Sequence, residues 1–158
     1  MKTATVTELK KELQGRSQSD LVALCLKLSK FKKENKELLT YLLYESDNEQ
    51  QYIVNVKNEI DLQFLEINRK STYIVQKNVR RIQRNVKKYI RYSKQKETEV
   101  ELLIHFSHQL KTLIPSIGKS SVLQNIFERQ IGVLSKKITT LHEDLQFDYQ
   151  REIEDLED

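Results

Sequence analysis

The chain has 158 residues, a formal net charge of +4, and only three Gly and one Pro. This length is typical of a single domain, and so few turn-forming residues exclude a fold rich in strands and hairpins. No apolar run approaches the roughly 18 residues that a membrane-spanning helix needs, so we expect no membrane partner. We therefore predict an all-α protein whose residues 1–158 form one helical domain.

The first residues and the single cysteine indicate the cellular compartment in which we expect the protein. The first seven residues are followed directly by a charged segment that starts at Glu8, and they contain no apolar signal segment. Cys25 cannot form a disulfide within the chain, which fits a reducing compartment, and the cytoplasm is the expected location. Because leucines surround Cys25 in the sequence, we predict that its thiol lies buried in the core.

Two helices are predicted in the first 45 residues. Thr7 is the expected N-cap of a short helix through Leu13, which Gly15 would end in the left-handed conformation. A long helix then runs from Asp20 to about Tyr44, and its three-and-four spacing of apolar residues predicts the central core helix. Its stripe consists of Leu21, Leu24, Cys25, Leu28, Phe31, Leu38, Leu39 and Leu42.

Three more helices are predicted between Ser46 and Pro115. Cap-forming residues at 46–48 precede the third helix, whose apolar residues continue to Ile67. The fourth helix runs from about Tyr73 to Lys96. The fifth ends near Pro115, because proline cannot continue the hydrogen-bond ladder, and residues 116–120 form a loop.

The last helix is predicted to be the longest of a bundle of five substantial helices and a short N-terminal one. Apolar residues at near-heptad spacing run from Leu123 to Leu156, so the helix would be about 50 Å long. Residues 145–158 would then form an acidic protruding end. An overhanging heptad stripe needs a partner, and we expect a homodimer or a complex with another protein. The expected contact residues are Leu134, Ile138, Leu141, Leu145 and Tyr149.

The fourth predicted helix is basic. Between Ile67 and Lys96 there are eleven Lys and Arg residues and no Asp or Glu. On a helical wheel, the cations lie opposite the apolar stripe, where they could neutralise nucleic-acid phosphates while Tyr73 and Tyr92 stack on bases. The candidate nucleic-acid contacts are Lys77, Arg80, Arg81, Arg84, Lys87, Lys88 and Arg91.

The C-terminus offers another explanation of this charge. Residues 142–158 contain eight acidic residues and a single basic one, Arg151. If the last helix packs beside the basic helix, the charges pair within the chain or between subunits. We favour such pairing, and nucleic-acid binding is the alternative.

Metal binding is a second alternative. Glu101, His105 and His108 share one face of the fifth helix, and His142 could join them from the last helix. The Glu-x-x-His pairs of di-metal helical bundles do not occur, and neither does a phosphate-binding loop, nucleophile elbow, CxxC or HExxH motif. We therefore predict a non-enzymatic interaction or scaffold protein without a cofactor.

Two segments resemble known families. The residues from Val6 to Leu13 and from Asp20 to Leu26 resemble the two short helices of SAP-type DNA-binding modules, with a shorter loop between them. From Leu9 to about Leu113, the chain resembles an uncharacterised bacterial family of small all-helical proteins. The similarity lies in Leu9-Lys10-Lys11 and in Phe31-Lys32-Lys33-Glu34-Asn35-Lys36. This second resemblance implies a fold and no activity.

Overall fold

The computed structural model describes residues 1–117 and 120–157, and only the backbone of residues 116 and 117. All regular structure in these residues is helical, which confirms the predicted all-α class. The chain divides into two compact units, an N-terminal unit (Met1–Tyr44) and a C-terminal unit (Glu45–Asp158). The helices are α1 (Val6–Gln14), α2 (Gln18–Phe31), α3 (Lys33–Thr40), α4 (Glu49–Leu65), α5 (Thr72–Ser93), α6 (Lys96–Ile117), α7 (Ser121–Ile138) and α8 (Glu143–Glu157), with a π-helical turn at Tyr41–Glu45.

Helix α1 begins two residues earlier than predicted. Thr5, not Thr7, is the N-cap: its hydroxyl accepts a hydrogen bond from the Glu8 amide, and the Glu8 carboxylate accepts one from the Thr5 amide. Gly15 ends the helix at φ −87°, so the left-handed conformation predicted for it is wrong. The Arg16 amide bonds to the Leu13 carbonyl at 3.1 Å, a tight turn that needs no positive φ.

The predicted long helix from Asp20 to Tyr44 is two helices. Lys32 adopts an extended conformation (φ −142°, ψ 144°) that ends α2, and α3 begins at the next residue. The Asn35 side chain donates a hydrogen bond to the Leu28 carbonyl at 2.9 Å, which satisfies one acceptor left open at the end of α2. Helices α2 and α3 then pack against each other.

The apolar stripe of this segment is not a core. In residues 1–44, all of which are described, Tyr41 is the only buried side chain. Leu28 is 61% exposed, Phe31 is 77% exposed, and Cys25 is exposed. The predictions of a central core helix and of a buried thiol are therefore wrong, because two short packed helices offer too few neighbours to enclose a stripe. The α2–α3 contact instead leaves an open apolar groove of about 300 Å³.

The core of the C-terminal unit surrounds α6. Helices α4, α5, α7 and α8 all pack against it, and Phe106 and Leu110 on α6 are completely buried. The stripe predicted for the basic helix is confirmed at Val79, Ile82 and Val86, which are completely buried. The cap predicted before the third helix is confirmed too, since Asn48 accepts a hydrogen bond from the Gln51 amide.

Helix α6 continues two residues beyond the predicted end. Pro115 lies inside its last turn, and the helix runs on to Ile117. A proline there removes a single backbone hydrogen bond, the one to the carbonyl four residues earlier, so the turn survives. Of the predicted loop at 116–120, residues 118 and 119 lie outside the described residues.

The predicted long C-terminal helix is also two helices. Helix α7 ends at Ile138, the Thr139 and Thr140 hydroxyls bond back to carbonyls of the last turn, and Lys96 Nζ donates to the Thr140 carbonyl at 3.1 Å. Helix α8 then packs on α6 and α7. Because Ile153 and Leu156 are buried, the segment expected to protrude is part of the bundle as far as residue 157. None of the described helices is both long and apolar enough to cross a membrane.

Candidate functional site

The residues predicted to mediate self-association lie mostly inside the C-terminal unit. Leu134, Ile138 and Tyr149 are at least nine-tenths buried within it, and Leu141 and Leu145 are half-buried. The near-heptad stripe predicts a partner because a single long helix would leave it uncovered. Since α8 folds back, the chain covers most of this stripe itself.

Two of the three candidate metal ligands, Glu101 and His105, have protein partners. Glu101 forms a salt bridge with Lys57 and accepts a 2.8 Å hydrogen bond from the Tyr149 hydroxyl. His105 Nε2 lies 2.6 Å from Asp61 Oδ1. Partial loss of hydration lowers the pKa of His108, and repulsion from His105 lowers it further. Among the described residues, no group of three or more His, Cys, Asp or Glu side chains is placed to hold a metal ion.

The acidic helix α8 does not neutralise the basic helix. Its buried residues face α6 and α7, and Glu152 lies near Glu101, whose charge raises the Glu152 pKa after the larger effect of lost hydration. Six α5 cations make no salt bridge with any residue that the structure describes. They are Lys77, Arg80, Arg81, Arg84, Lys87 and Arg91. Pairing with the described carboxylates of the chain therefore fails for these six side chains, while pairing between subunits stays a prediction.

Four of these cations line one groove, which we call the basic groove. It lies between α5 and α7 with α6 at its base, and its volume is about 930 Å³. The cations of the basic groove are Arg80, Arg84, Lys87 and Arg91 from α5 and Arg129 from α7. Its apolar lining is Ile90, Leu103, Val122, Ile126 and Val133. Cationic walls with an apolar base suit a ligand that is itself part anion and part apolar ring.

The sequence builds the α5 wall by helical spacing. Arg80, Arg84, Lys87 and Arg91 are separated by four, three and four residues, so they form one row along the helix. The row lies beside the fully buried stripe, and this places it at the edge of the α5 contact with α6. The other predicted contacts, Lys77, Arg81 and Lys88, do not line the groove, and Lys88 Nζ lies 4.9 Å from the centre of the Tyr89 ring.

The groove contains one carboxylate, and that group is already paired. Glu99 on α6 forms a salt bridge with Lys137 of α7 at 3.0 Å. Its charge is therefore balanced by a side chain that does not line the groove. None of the five groove cations forms a salt bridge with a described residue, and the low-dielectric walls of a groove concentrate the field that the cations produce.

Gln130 is a functional candidate that the sequence analysis missed. Its side chain lines the groove and is only 3% exposed. Gln130 Oε1 accepts a 3.2 Å hydrogen bond from Gln83, but Nε2 has no partner among the described residues. A buried unpaired donor costs about 1–3 kcal/mol, so its retention needs a reason. The sequence does contain one indication of this residue. Gln130 lies three positions after Phe127 and four before Leu134, so a polar residue occupies a core position of the α7 stripe.

Of the two tyrosines predicted to stack on bases, one is buried and the other is exposed. Tyr92 is buried, and its ring contacts Tyr89 edge-on with centroids 6.2 Å apart. It is therefore not available to a nucleic-acid base. Tyr73 is 73% exposed at the start of α5 and does not line the groove.

Comparison with known proteins gives no independent assignment. No family model matches the sequence, and neither curated proteins nor solved structures give a significant match. The two resemblances described above therefore stay predictions. The function has to be argued from the groove alone.

Proposed function

We propose that this protein binds the phosphate backbone of a nucleic acid in the basic groove. The observation that carries the proposal is the set of five groove cations, none of which pairs with a described carboxylate. An unpaired row of Lys and Arg binds phosphates by displacing condensed counterions. This favours the nucleic-acid alternative over internal neutralisation of the basic helix.

The dimensions of the α5 row support this ligand. Arg80 and Arg91 are eleven residues apart, which corresponds to about 16 Å along a helix. A strand lying along this row passes several phosphates, so a polymer gains contacts that a single phosphate cannot make. Because all four side chains of this row are long cations, we expect the row to give little dependence on base sequence.

The test is the salt dependence of binding. We expect a labelled oligonucleotide of about 15 nucleotides to bind, with fluorescence anisotropy as the readout. If five phosphates are contacted, log K should fall with log salt at a slope of about −4 between about 50 and 200 mM. Absence of binding, or affinity that does not fall with salt, contradicts the proposal.

A matched pair of variants locates the contact. Arg84→Gln with Lys87→Gln removes two groove cations, and we expect the salt slope to lose about two phosphate contacts. Lys77→Gln with Arg81→Gln removes two cations of the same helix outside the groove. This control should bind nearly as the wild type, and equal losses in both variants argue against the groove.

As a second candidate function, we propose self-association through the N-terminal unit. Its support is the exposed apolar surface there, including Leu24, Leu28 and Phe31, beside an apolar groove between α2 and α3. A second copy would cover surface that 44 residues cannot bury alone. Light scattering of the concentrated wild type should give a dimer, and Leu28→Glu a monomer. A monomeric wild type at every concentration contradicts this candidate.

A further inference from the structure

We infer that the nucleic acid bound in the basic groove is single-stranded, and that one of its bases enters the groove and bonds to Gln130. The inference rests on the proposed function, because it assumes that the groove cations hold phosphates. It adds what the rest of the groove recognises.

The lining of the groove favours a base over a phosphate. Ile90, Ile126 and Val133 give the groove an apolar surface between its two cationic walls. An anion gains nothing from such a surface, whereas the flat face of a base does. In a duplex the bases are stacked inside and only phosphates and groove edges face the protein, so only an unpaired strand can place a base there.

The size of the groove points the same way. A volume of about 930 Å³ lies within the range of pockets that enclose one small molecule, about 300–1,000 Å³. One or two nucleotides are of that size, and a duplex is not. Cations on both sides, Arg84 from α5 and Arg129 from α7, can contact the phosphates that flank an inserted base.

Gln130 provides the polar contact that a base requires. Its Oε1 accepts a hydrogen bond from Gln83, whereas Nε2 is buried without a partner among the described residues. Gln130 lines the groove, and the terminal torsion of a glutamine is broad, so the amide can turn Nε2 toward the groove. A ring nitrogen or carbonyl oxygen of a base then accepts its hydrogen bond and gives this donor a partner.

The experiment compares three ligands of equal length at one salt concentration: a single-stranded DNA, its duplex, and a strand of abasic sites with the same phosphates. We expect the single strand to bind about tenfold more tightly than the other two. Equal binding of all three overturns the inference and leaves the proposed function standing. Binding of none overturns both.

The variant Gln130→Met connects the preference to this residue. Methionine has nearly the same shape and no donor, so the variant should bind the abasic strand as the wild type does and lose the roughly tenfold preference for bases. Its melting temperature should not fall, because the substitution removes a buried N–H that has no partner among the described residues. Gln83 loses its acceptor, Gln130 Oε1, but it lines the groove and can donate to water instead. A preference that survives in a folded Gln130→Met overturns the inference.

Two further variants separate the role of Gln130 from a general effect on folding. Gln63→Met is the matched control, because Gln63 is also buried but its amide donates to Glu59 and accepts from Asn85. This variant should melt at a lower temperature and keep the preference for bases. Val133→Ser, at a 43% exposed position on the groove, should fold normally and reduce the preference several-fold. A nucleoside monophosphate that displaces the strand at equal concentration overturns the assignment to a strand.

Discussion

Helices α2 and α6 carry similar apolar stripes with opposite outcomes. On α6, Phe106 and Leu110 are completely buried, whereas on α2, Leu28 and Phe31 are 61% and 77% exposed. The difference lies in the neighbours, because four helices surround α6 and α2 packs on α3. A stripe therefore predicts a helix and its apolar face, but whether that face is buried depends on how many other helices can reach it.

The largest expected effect compares one substitution on the two stripes. Phe106→Ala should lower the free energy of unfolding by about 4 kcal/mol, since it opens a cavity in a closed core. Phe31→Ala should lower it by less than about 0.5 kcal/mol, since the ring faces solvent. Urea denaturation of dilute protein, followed by circular dichroism, measures both. A comparable loss in Phe31→Ala means that a second copy covers the N-terminal unit.

The same reasoning explains which elements the sequence could predict. The basic helix was expected from Tyr73 to Lys96 and is found at Thr72–Ser93, because cap residues and a regular stripe mark it locally. The breaks at Lys32 and at Thr139–His142 contain no Gly or Pro, so local signals favour a continuous helix there. The first break is stabilised by a hydrogen bond across it, from Asn35 to the Leu28 carbonyl, and the second by a tertiary contact, from Lys96 to the Thr140 carbonyl.

The candidate site divides in a similar way. The α5 row could be predicted, because the spacing of Arg80, Arg84, Lys87 and Arg91 is local information. Arg129 could not, since which helix forms the second wall depends on how α5 and α7 pack on α6. Whether these cations are neutralised could not be predicted either, because that depends on where α8 packs. Its apolar stripe is continuous with that of α7 in the sequence, and this pattern predicted one helix instead of two.

A smaller loss of unfolding free energy is expected when one salt bridge is removed from each unit. Lys57 and Glu101 connect α4 to α6 with about a quarter of each side chain exposed, whereas Lys33, which pairs with Glu37 at 3.6 Å, is 88% exposed. Lys57→Met should cost about 1–2 kcal/mol of unfolding free energy, because Glu101 then keeps, among its described partners, only the bond from Tyr149. Lys33→Met should cost less than about 0.5 kcal/mol, since solvent screens that pair. Equal costs in urea denaturation would mean that the pairs are equally screened.

The smallest expected effect on stability comes from the Glu152 carboxylate on α8. Lost hydration and then repulsion from Glu101 raise the pKa of Glu152 above its ordinary value of 4.5. The folded state therefore holds this proton more tightly than the unfolded chain, so the stabilisation is complete below about pH 4 and disappears as pH rises through the raised pKa. Above the raised pKa the carboxylate is charged, and its charge is unfavourable in the folded state. Glu152→Gln should then stabilise the protein, by less than about 0.5 kcal/mol because the group is partly solvated.

The control for this substitution comes from the N-terminal unit. Glu12→Gln changes a fully described, exposed position of α1, and we expect no gain in stability there at any pH. Thermal melts of both variants and the wild type near pH 7 and near pH 4 measure the difference, which should vanish for Glu152→Gln at the lower pH because the wild-type side chain is then neutral as well. A gain that persists near pH 4 would assign the effect to packing of the amide, and an equal gain in Glu12→Gln would assign it to the net charge of the chain. The predicted result requires a carboxylate held against a packed neighbour, which α8 provides beside α6 and α1 does not.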